Sequence, residues 1–97
     1  MNPKQKYLKS THDFNGGIQK VYEFPNGYGA SVVKHRGSYG YDKGLWELAV
    51  LDFDGSLCYT TEITNDVIGH LNDPEVDRLL RRIEQLWKIK QNVRWVR

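Results

Sequence analysis

The sequence predicts an α+β fold: a four-stranded antiparallel meander with one face covered by a short helix and a long C-terminal helix. Three observations support this prediction. Apolar and β-branched runs of strand length alternate with glycine-containing turns over residues 17–61. After residue 63 the apolar residues recur at helical spacing. The chain has 97 residues, which is the size of one domain with one modest core.

The first part of the chain supplies an arm and a hairpin. Residues 1–15 lack an apolar period and are rich in Lys, Ser and Asn, so we expect a flexible arm that orders against the sheet or a partner. A single folded domain then covers residues 16–97. Its first two strands are 17–24 and 28–35, joined by the Asn-Gly pair of a tight turn.

A second hairpin follows a glycine-rich loop. The loop covers residues 36–44, and the most apolar run of the chain, 45–52, is the third strand. Leu45 and Trp46 alternate, so one of these two side chains faces outward. An Asp-Gly pair at the tip of the hairpin turns the chain back into a fourth strand over residues 56–61.

The last third of the chain changes to the helical period. Thr64 caps a short helix. Its apolar side consists of Val67, Ile68 and Leu71. Asp73, directly before Pro74, is the expected N-cap of the long helix. The buried stripe of that helix consists of Val76, Leu79, Leu80, Ile83, Leu86 and Trp87. The sequence of residues 91–97 fits three alternatives equally: a frayed end, a fifth strand or a docking segment.

Composition bounds the class of protein. Hydrophobic residues make up 39% of the chain and charged residues 27%, as in ordinary globular domains. Cys58 is the single cysteine, which excludes an internal disulfide and fits a reducing compartment. No apolar stretch reaches the ~18 residues of a membrane span, and the N-terminus lacks the apolar core of a signal peptide. We therefore expect a soluble, cytoplasmic protein that does not bind membranes.

The DFDG run at residues 52–55 resembles the first motif of haloacid-dehalogenase phosphatases, whose first Asp is the nucleophile. A complete site of that kind needs a downstream Lys and further acidic ligands on a doubly wound sheet, and too little chain follows to build one. The Asp-Gly pair between two apolar runs predicts a hairpin turn instead. His12, His35 and His70 are isolated in the sequence, so we also expect no metal site. The sequence thus predicts no catalytic residue, no cofactor and no enzyme.

The loop over residues 36–44 contains part of an RNA-recognition pattern. Arg36, Tyr39 and Tyr41 follow the basic and aromatic order of the RNA-recognition fold, but Ser38 breaks its spacing. That fold also needs a helix between its first two strands, where this chain has a tight turn. We interpret the loop as a glycine-rich connection with partly exposed tyrosines.

Several sequence blocks in the middle of the chain recur together in one family. They are NGYGASVV at 26–33, Ser-Tyr-Gly at 38–40, GLWELAVL at 44–51, Tyr-Thr-Thr at 59–61, and DVIG with a following Leu at 66–71. Through these blocks, residues 24–71 resemble a family of small tailed-bacteriophage proteins of unknown function. Glu62 stands where that family usually has a proline. The resemblance implies a phage origin and brings no activity, cofactor or catalytic residue with it.

We expect a small phage accessory protein that binds, and thereby inhibits, a host or phage protein in the host cytoplasm, for example in host takeover or counter-defence. Such a protein needs a compact scaffold with a charged and aromatic patch. The expected partner-binding residues are Arg36, Tyr39, Tyr41, Lys43, Arg94 and Trp95. A homodimer formed through a sheet edge is a further alternative.

The alternative function is a nucleic-acid-binding module. The net charge of +2 is uneven, because residues 1–36 and 75–97 each carry +4 and residues 37–74 carry −6. The candidate phosphate-contacting residues are Lys4, Lys6, Lys9, Arg78, Arg82, Lys88 and Arg94. Asp77 precedes Arg81 by four residues, however, and a self-paired helix face explains much of this pattern.

Overall fold

The computed structural model of the protein describes residues 6–35, 41–52, 55 and 68–86. Over these ranges, five strands form one antiparallel sheet in the order β1-β2-β3-β4-β5, and a helix follows them. The elements are β1 (Leu8–Phe14), β2 (Gly17–Glu23), β3 (Gly29–Lys34), β4 (Trp46–Leu51), β5 (Ile68–Leu71) and α1 (Asp73–Glu84). A short 3₁₀ turn, Tyr41–Lys43, precedes β4.

The α+β class and the antiparallel sheet are confirmed, and the described residues alone form five strands where the sequence predicts four in all. Strands β2, β3 and β4 lie where the sequence predicts strands. Strand β1 lies within the segment expected to be a flexible arm, where it pairs with β2. The prediction of a short helix is wrong at residues 68–71, which form β5 beside β4. The predicted strand at 56–61 lies outside the described residues.

The β1–β2 hairpin is closed by the two-residue turn Asn15-Gly16. Their φ angles are +47° and +81°, and Phe14 pairs with Gly17 across the turn. Two central residues with positive φ match the right-handed twist of the strands, and Asn-Gly is the preferred pair for this turn. A bulge at Lys9 shifts the register between Leu8 and Ser10.

The β2–β3 turn uses its Asn-Gly pair differently from the expectation. Gly27 has a φ of +94°, and its N–H donates to the Phe24 carbonyl at 3.1 Å. Asn26 does not adopt a positive φ angle. This pattern is a three-residue hairpin loop that ends in a left-handed glycine. The side chain of Asn26 is therefore available for a contact with the helix.

Helix α1 begins one residue earlier than the sequence predicts, since Asn72 is the N-cap rather than Asp73. The Asn72 side chain accepts a hydrogen bond from the Glu75 N–H at 2.9 Å, and Glu75 accepts one from the Asn72 N–H at 2.8 Å. This is a capping box, which satisfies two helix-terminal donors. The helix ends at Glu84, so Leu86 lies beyond it, and Trp87 is outside the described residues.

The core lies between α1 and one face of the sheet. Trp46 is buried and Leu45 is only partly buried, which decides between these two neighbours. The buried cluster consists of Tyr22, Phe24, Ala30, Val32, Trp46, Leu48, Val50, Leu71, Val76, Leu80 and Ile83. Helix α1 packs mainly on β3 and β4. No helix in the described part of the chain is long and apolar enough to cross a membrane.

Candidate functional site

Only two members of the predicted partner-binding set fall within the described residues. Lys43 is exposed at the end of the 3₁₀ turn, and the backbone of Tyr41 begins that turn. The other four predicted residues lie outside the described ranges. They are Arg36, Tyr39, Arg94 and Trp95. The loop and C-terminal patch therefore remain predictions.

The described members of the predicted nucleic-acid-binding set lie on different sides of the protein. Lys9 forms an ion pair with Glu23 at 3.6 Å, and Glu23 points away from the helix because it alternates with buried Tyr22. Arg78 and Arg82 are exposed on α1, and Lys6 is exposed before β1. The remaining members, Lys4, Lys88 and Arg94, lie outside the described residues.

Helix α1 packs mainly on β3 and β4 of one sheet face. Strands β1 and β2 extend beyond it, and register places their helix-side residues in the pairs Thr11–Lys20 and Asp13–Ile18, with Leu8 opposite buried Tyr22. We call this surface the open half-face. It consists of Leu8, Thr11, Asp13, Ile18 and Lys20. Ile18 is 41% exposed and Leu8 38% exposed, so two large apolar side chains stand in solvent here.

Two lysine side chains converge on Trp46 at the border of the open half-face. The Lys34 Nζ atom lies 4.2 Å from the centroid of the indole ring, and the Lys20 Nζ atom lies 5.2 Å from it. Both distances are within the range of a cation–π interaction. Trp46 is only 8% exposed, and its Nε1–H donates to Asp73 Oδ1 at 2.8 Å. The indole is thus held at its N–H edge by Asp73 of α1, and two lysine ammonium groups lie near its ring.

These two lysines lack ion-pair partners within the described ranges. Lys9–Glu23 is an ion pair there, but neither Lys20 nor Lys34 forms one. Sequence reasoning missed both residues. The available signal was their position in the strands. Lys20 is two residues from Tyr22 and Lys34 is two residues from Val32, so both lysines point to the same face as these apolar residues.

The opposite sheet face carries a row of polar contacts. His12 Nε2 lies 2.6 Å from Gln19 Oε1, and Gln19 Nε2 donates to Ser31 Oγ at 2.9 Å. Phe14 packs edge-on against His35, with ring centroids 4.9 Å apart. No group of three metal-ligating side chains occurs within the described ranges.

A pocket at the turn end of the same face is small. It holds about 50 Å³ and is lined by Lys9, Glu23, Tyr28, Leu51 and Asp52 among others. Pockets for small-molecule ligands usually measure roughly 300–1,000 Å³. This pocket therefore has room for water but not for an ordinary substrate.

One buried polar pair lies between β2 and helix α1. The Tyr22 hydroxyl and the Asp77 Oδ1 atom are both buried without a hydrogen-bond partner. Burial raises the pKa of Tyr22 from 10.0 to about 12, and the nearby Asp77 carboxylate adds to this shift. Tyr22 is therefore a neutral phenol at physiological pH.

Comparisons with known proteins give no match. No family model fits the chain, and no curated protein or solved structure is similar to it.

Proposed function

We propose that the protein is a small bacteriophage accessory protein that acts in the host cytoplasm by binding, and thereby blocking, a host or phage protein. The observation that carries this proposal is the open half-face. It presents Ile18 and Leu8 to solvent beside a helix that covers the rest of the same sheet face. Exposed apolar side chains with a polar and charged surround are typical of protein-interaction surfaces.

The scaffold suits a blocking role better than a chemical one. Strand β1 is exposed along all seven residues, and it extends the surface of the sheet beyond the core. The pocket of about 50 Å³ is too small for most substrates. Steric or competitive blocking needs only a rigid surface, and a sheet backed by a helix supplies one.

The loop over residues 36–44 and the C-terminal Arg94 and Trp95 remain part of the proposed binding surface. Lys43 is exposed at the border of this loop, which is compatible with a role in contact. The open half-face adds a second region, built on strands rather than loops. Sites on strands hold their side chains more firmly than sites on loops.

Affinity capture from infected cells tests this function. We expect the tagged wild-type chain to retain one stoichiometric protein after nuclease treatment. A Leu8→Gln/Ile18→Gln variant should lose that protein, because the apolar contact is removed. The matched control is Phe14→Gln, since Phe14 is 37% exposed and points away from the helix. Recovery that disappears with nuclease in the wild type would contradict the proposal.

A nucleic-acid-binding module is the second candidate function. Three exposed cations on α1, Arg78, Arg81 and Arg82, favour it. Asp77 and Arg81, both described, do not form the ion pair that their spacing suggests. If this candidate is right, oligonucleotide affinity should fall log-linearly with salt, and Arg78→Gln/Arg82→Gln should flatten that slope by about two phosphate contacts.

A further inference from the structure

We propose that the open half-face, together with Lys34 at its border, binds an acidic segment of the partner protein. A carboxylate of the partner lies between the Lys20 and Lys34 ammonium groups, and a neighbouring apolar side chain packs on Ile18. This inference rests on the proposed function, because it names the chemistry of the surface that the proposed partner presents.

The two lysines are held in place before any partner arrives. Trp46 is buried, and its indole N–H is bonded to Asp73 on the helix, so the ring cannot turn away. Lys34 and Lys20 then rest against that ring at 4.2 and 5.2 Å. Long lysine side chains ordinarily lose much rotamer freedom on binding. Ordering them against the indole in the free protein reduces that entropic cost.

The same arrangement leaves positive charge available for a partner. Two ammonium groups share one indole, and neither forms an ion pair within the described ranges. An indole face attracts a cation but does not neutralise it. A carboxylate placed between the two groups accepts charge-assisted hydrogen bonds from both.

Acidic residues of the protein itself restrict where that carboxylate can lie. Asp13 is exposed and pairs in register with Ile18, so it repels an acid at the β1 side of the open half-face. Asp73 accepts a hydrogen bond from the indole N–H, and Asp77, on helix α1, has a buried Oδ1 atom and lies near Tyr22. The attractive position is thus between Lys20 and Lys34. Repulsion elsewhere adds specificity for one placement.

The register also sets the spacing that the partner needs. Ile18 and Lys34 are directly opposite each other on neighbouring strands, so their side chains begin about 5 Å apart on the same face. In an extended segment, residues two apart point to the same side and lie about 7 Å apart. A partner segment with an apolar residue two positions from an acidic residue fits this pair.

The test uses the full chain and a short synthetic peptide in which Leu and Glu alternate with Ser, so that the two lie two positions apart. Its binding is followed by calorimetry and by the NMR signals of Lys20, Lys34 and the Trp46 indole. Inorganic phosphate and a single-stranded oligonucleotide are separate probes. We expect the peptide to shift the Trp46 indole signal and to bind more tightly than either.

Four variants distinguish binding at this site from general electrostatic attraction. Lys20→Gln/Lys34→Gln should weaken peptide binding by about tenfold or more, which is the loss expected for charged contacts of this kind. Lys6→Gln/Lys9→Gln removes the same charge elsewhere and should change affinity by less than about twofold. Asp13→Asn should tighten binding, because it removes a repulsive carboxylate. If Lys20→Arg/Lys34→Arg keeps its affinity for the peptide, then Lys20→Gln/Lys34→Gln lost affinity because its charges were removed and not because it misfolded.

Three outcomes overturn the inference. The first is that the wild-type chain does not bind the peptide. The second is that Lys20→Gln/Lys34→Gln and Lys6→Gln/Lys9→Gln lose the same amount of peptide affinity. The third is that the oligonucleotide binds more tightly than the peptide through Lys20 and Lys34. Failure of the proposed function looks different. If Lys20→Gln/Lys34→Gln still captures the nuclease-resistant partner from infected cells, this inference is wrong and the function stands. If the wild-type chain captures no protein, the function itself is wrong.

Discussion

The side-chain amide nitrogen of Asn26 lies 2.8 Å from the main-chain carbonyl oxygen of Ile83, and this contact joins the β2–β3 turn to the end of helix α1. The same nitrogen lies 3.1 Å from the Glu84 carbonyl and 3.0 Å from the Leu86 carbonyl. Its Oδ1 atom accepts from the Tyr28 N–H at 3.0 Å. One buried side chain thus donates to three carbonyls at the helix end, of which that of Ile83 also accepts from the Leu86 N–H.

Asn26 should therefore contribute more to stability than an ordinary turn residue. We expect Asn26→Ala to lower the free energy of unfolding by about 1–3 kcal/mol, because the partly buried Glu84 and Leu86 carbonyls lose this donor and the Ile83 carbonyl keeps only backbone donors. Asn26→Asp should cost more, since a carboxylate would face those carbonyls at the negative end of the helix dipole. Urea denaturation measures both. Asn15→Asp is the control, because an exposed left-handed turn residue tolerates Asp.

Tyr22 makes stability sensitive to alkaline pH. Its folded pKa of about 12 lies above the unfolded value of 10.0, so the folded state holds its proton more tightly. Titration of Tyr22 therefore leaves the free energy of unfolding unchanged below pH 10 and lowers it as the pH rises through 12, by roughly 2–3 kcal/mol in total. Tyr22→Phe should remove this pH dependence at little cost at neutral pH, since the hydroxyl has no hydrogen-bond partner.

Denaturation curves of the wild type and Tyr22→Phe between pH 8 and about pH 12 test this difference. Asp77→Asn should weaken the pH dependence without removing it, because burial is the larger cause of the raised pKa. Parallel pH profiles for wild type and Tyr22→Phe would show that other groups dominate the alkaline transition.

The strands inside the sheet could be predicted from sequence because their residues face a core. Val32 and Val33 in β3 and the apolar run of β4 carry strong β-propensity. Strand β1 carries no such pattern, since all seven of its residues are exposed at the sheet edge. The Asn15-Gly16 pair was the available signal, and an Asn-Gly pair does not require apolar flanks to form a hairpin.

The error at β5 has a different physical cause. Ile68 and Leu71 are three residues apart, a spacing that fits a helix as well as an irregular strand. The register between β4 and β5 shifts between Trp46 and Leu48, so these two apolar residues both reach β4 despite their odd spacing. His70, between them, has a φ of +59°. A local irregularity of this kind follows from tertiary pairing and leaves no period in the sequence.

The candidate site was only partly readable from sequence. Aromatic and cationic residues in loops were chosen because exposed loops often bind. Lys20 and Lys34 lie within strands, where a single lysine suggests an edge or a solvent-facing position. Their meeting at Trp46 depends on three strands in register and on Asp73 fixing the ring. Sequence spacing alone does not specify that geometry.

Gly17 is a position where a side chain has no room. A Cβ atom there would overlap the main chain of Lys34, the last residue of β3, and of His35 after it. We expect Gly17→Ala to destabilise the protein by about 3 kcal/mol or more, because backbone must move to accept the methyl group. Thermal unfolding measures the loss. Gly16→Asn is the comparison, since nothing lies near that position and only the strain of its φ of +81° opposes the substitution, so the loss should be smaller.

The start of helix α1 separates capping from packing in two adjacent residues. Asn72 holds the capping box, and Asp73 accepts from the Trp46 indole. Asn72→Ala should cost about 1 kcal/mol, and Asn72→Gly only a few tenths, as for other N-caps.

Asp73→Ala should cost about 1–3 kcal/mol by leaving the nearly buried indole N–H without its acceptor, whereas Asp73→Asn retains an acceptor oxygen and should cost less. The Trp46 indole N–H signal should shift in both Asp73 variants and remain in place in Asn72→Gly. If Asp73→Ala leaves that signal unchanged, the indole is not held by Asp73 in solution, and the ordering of Lys20 and Lys34 would need another cause.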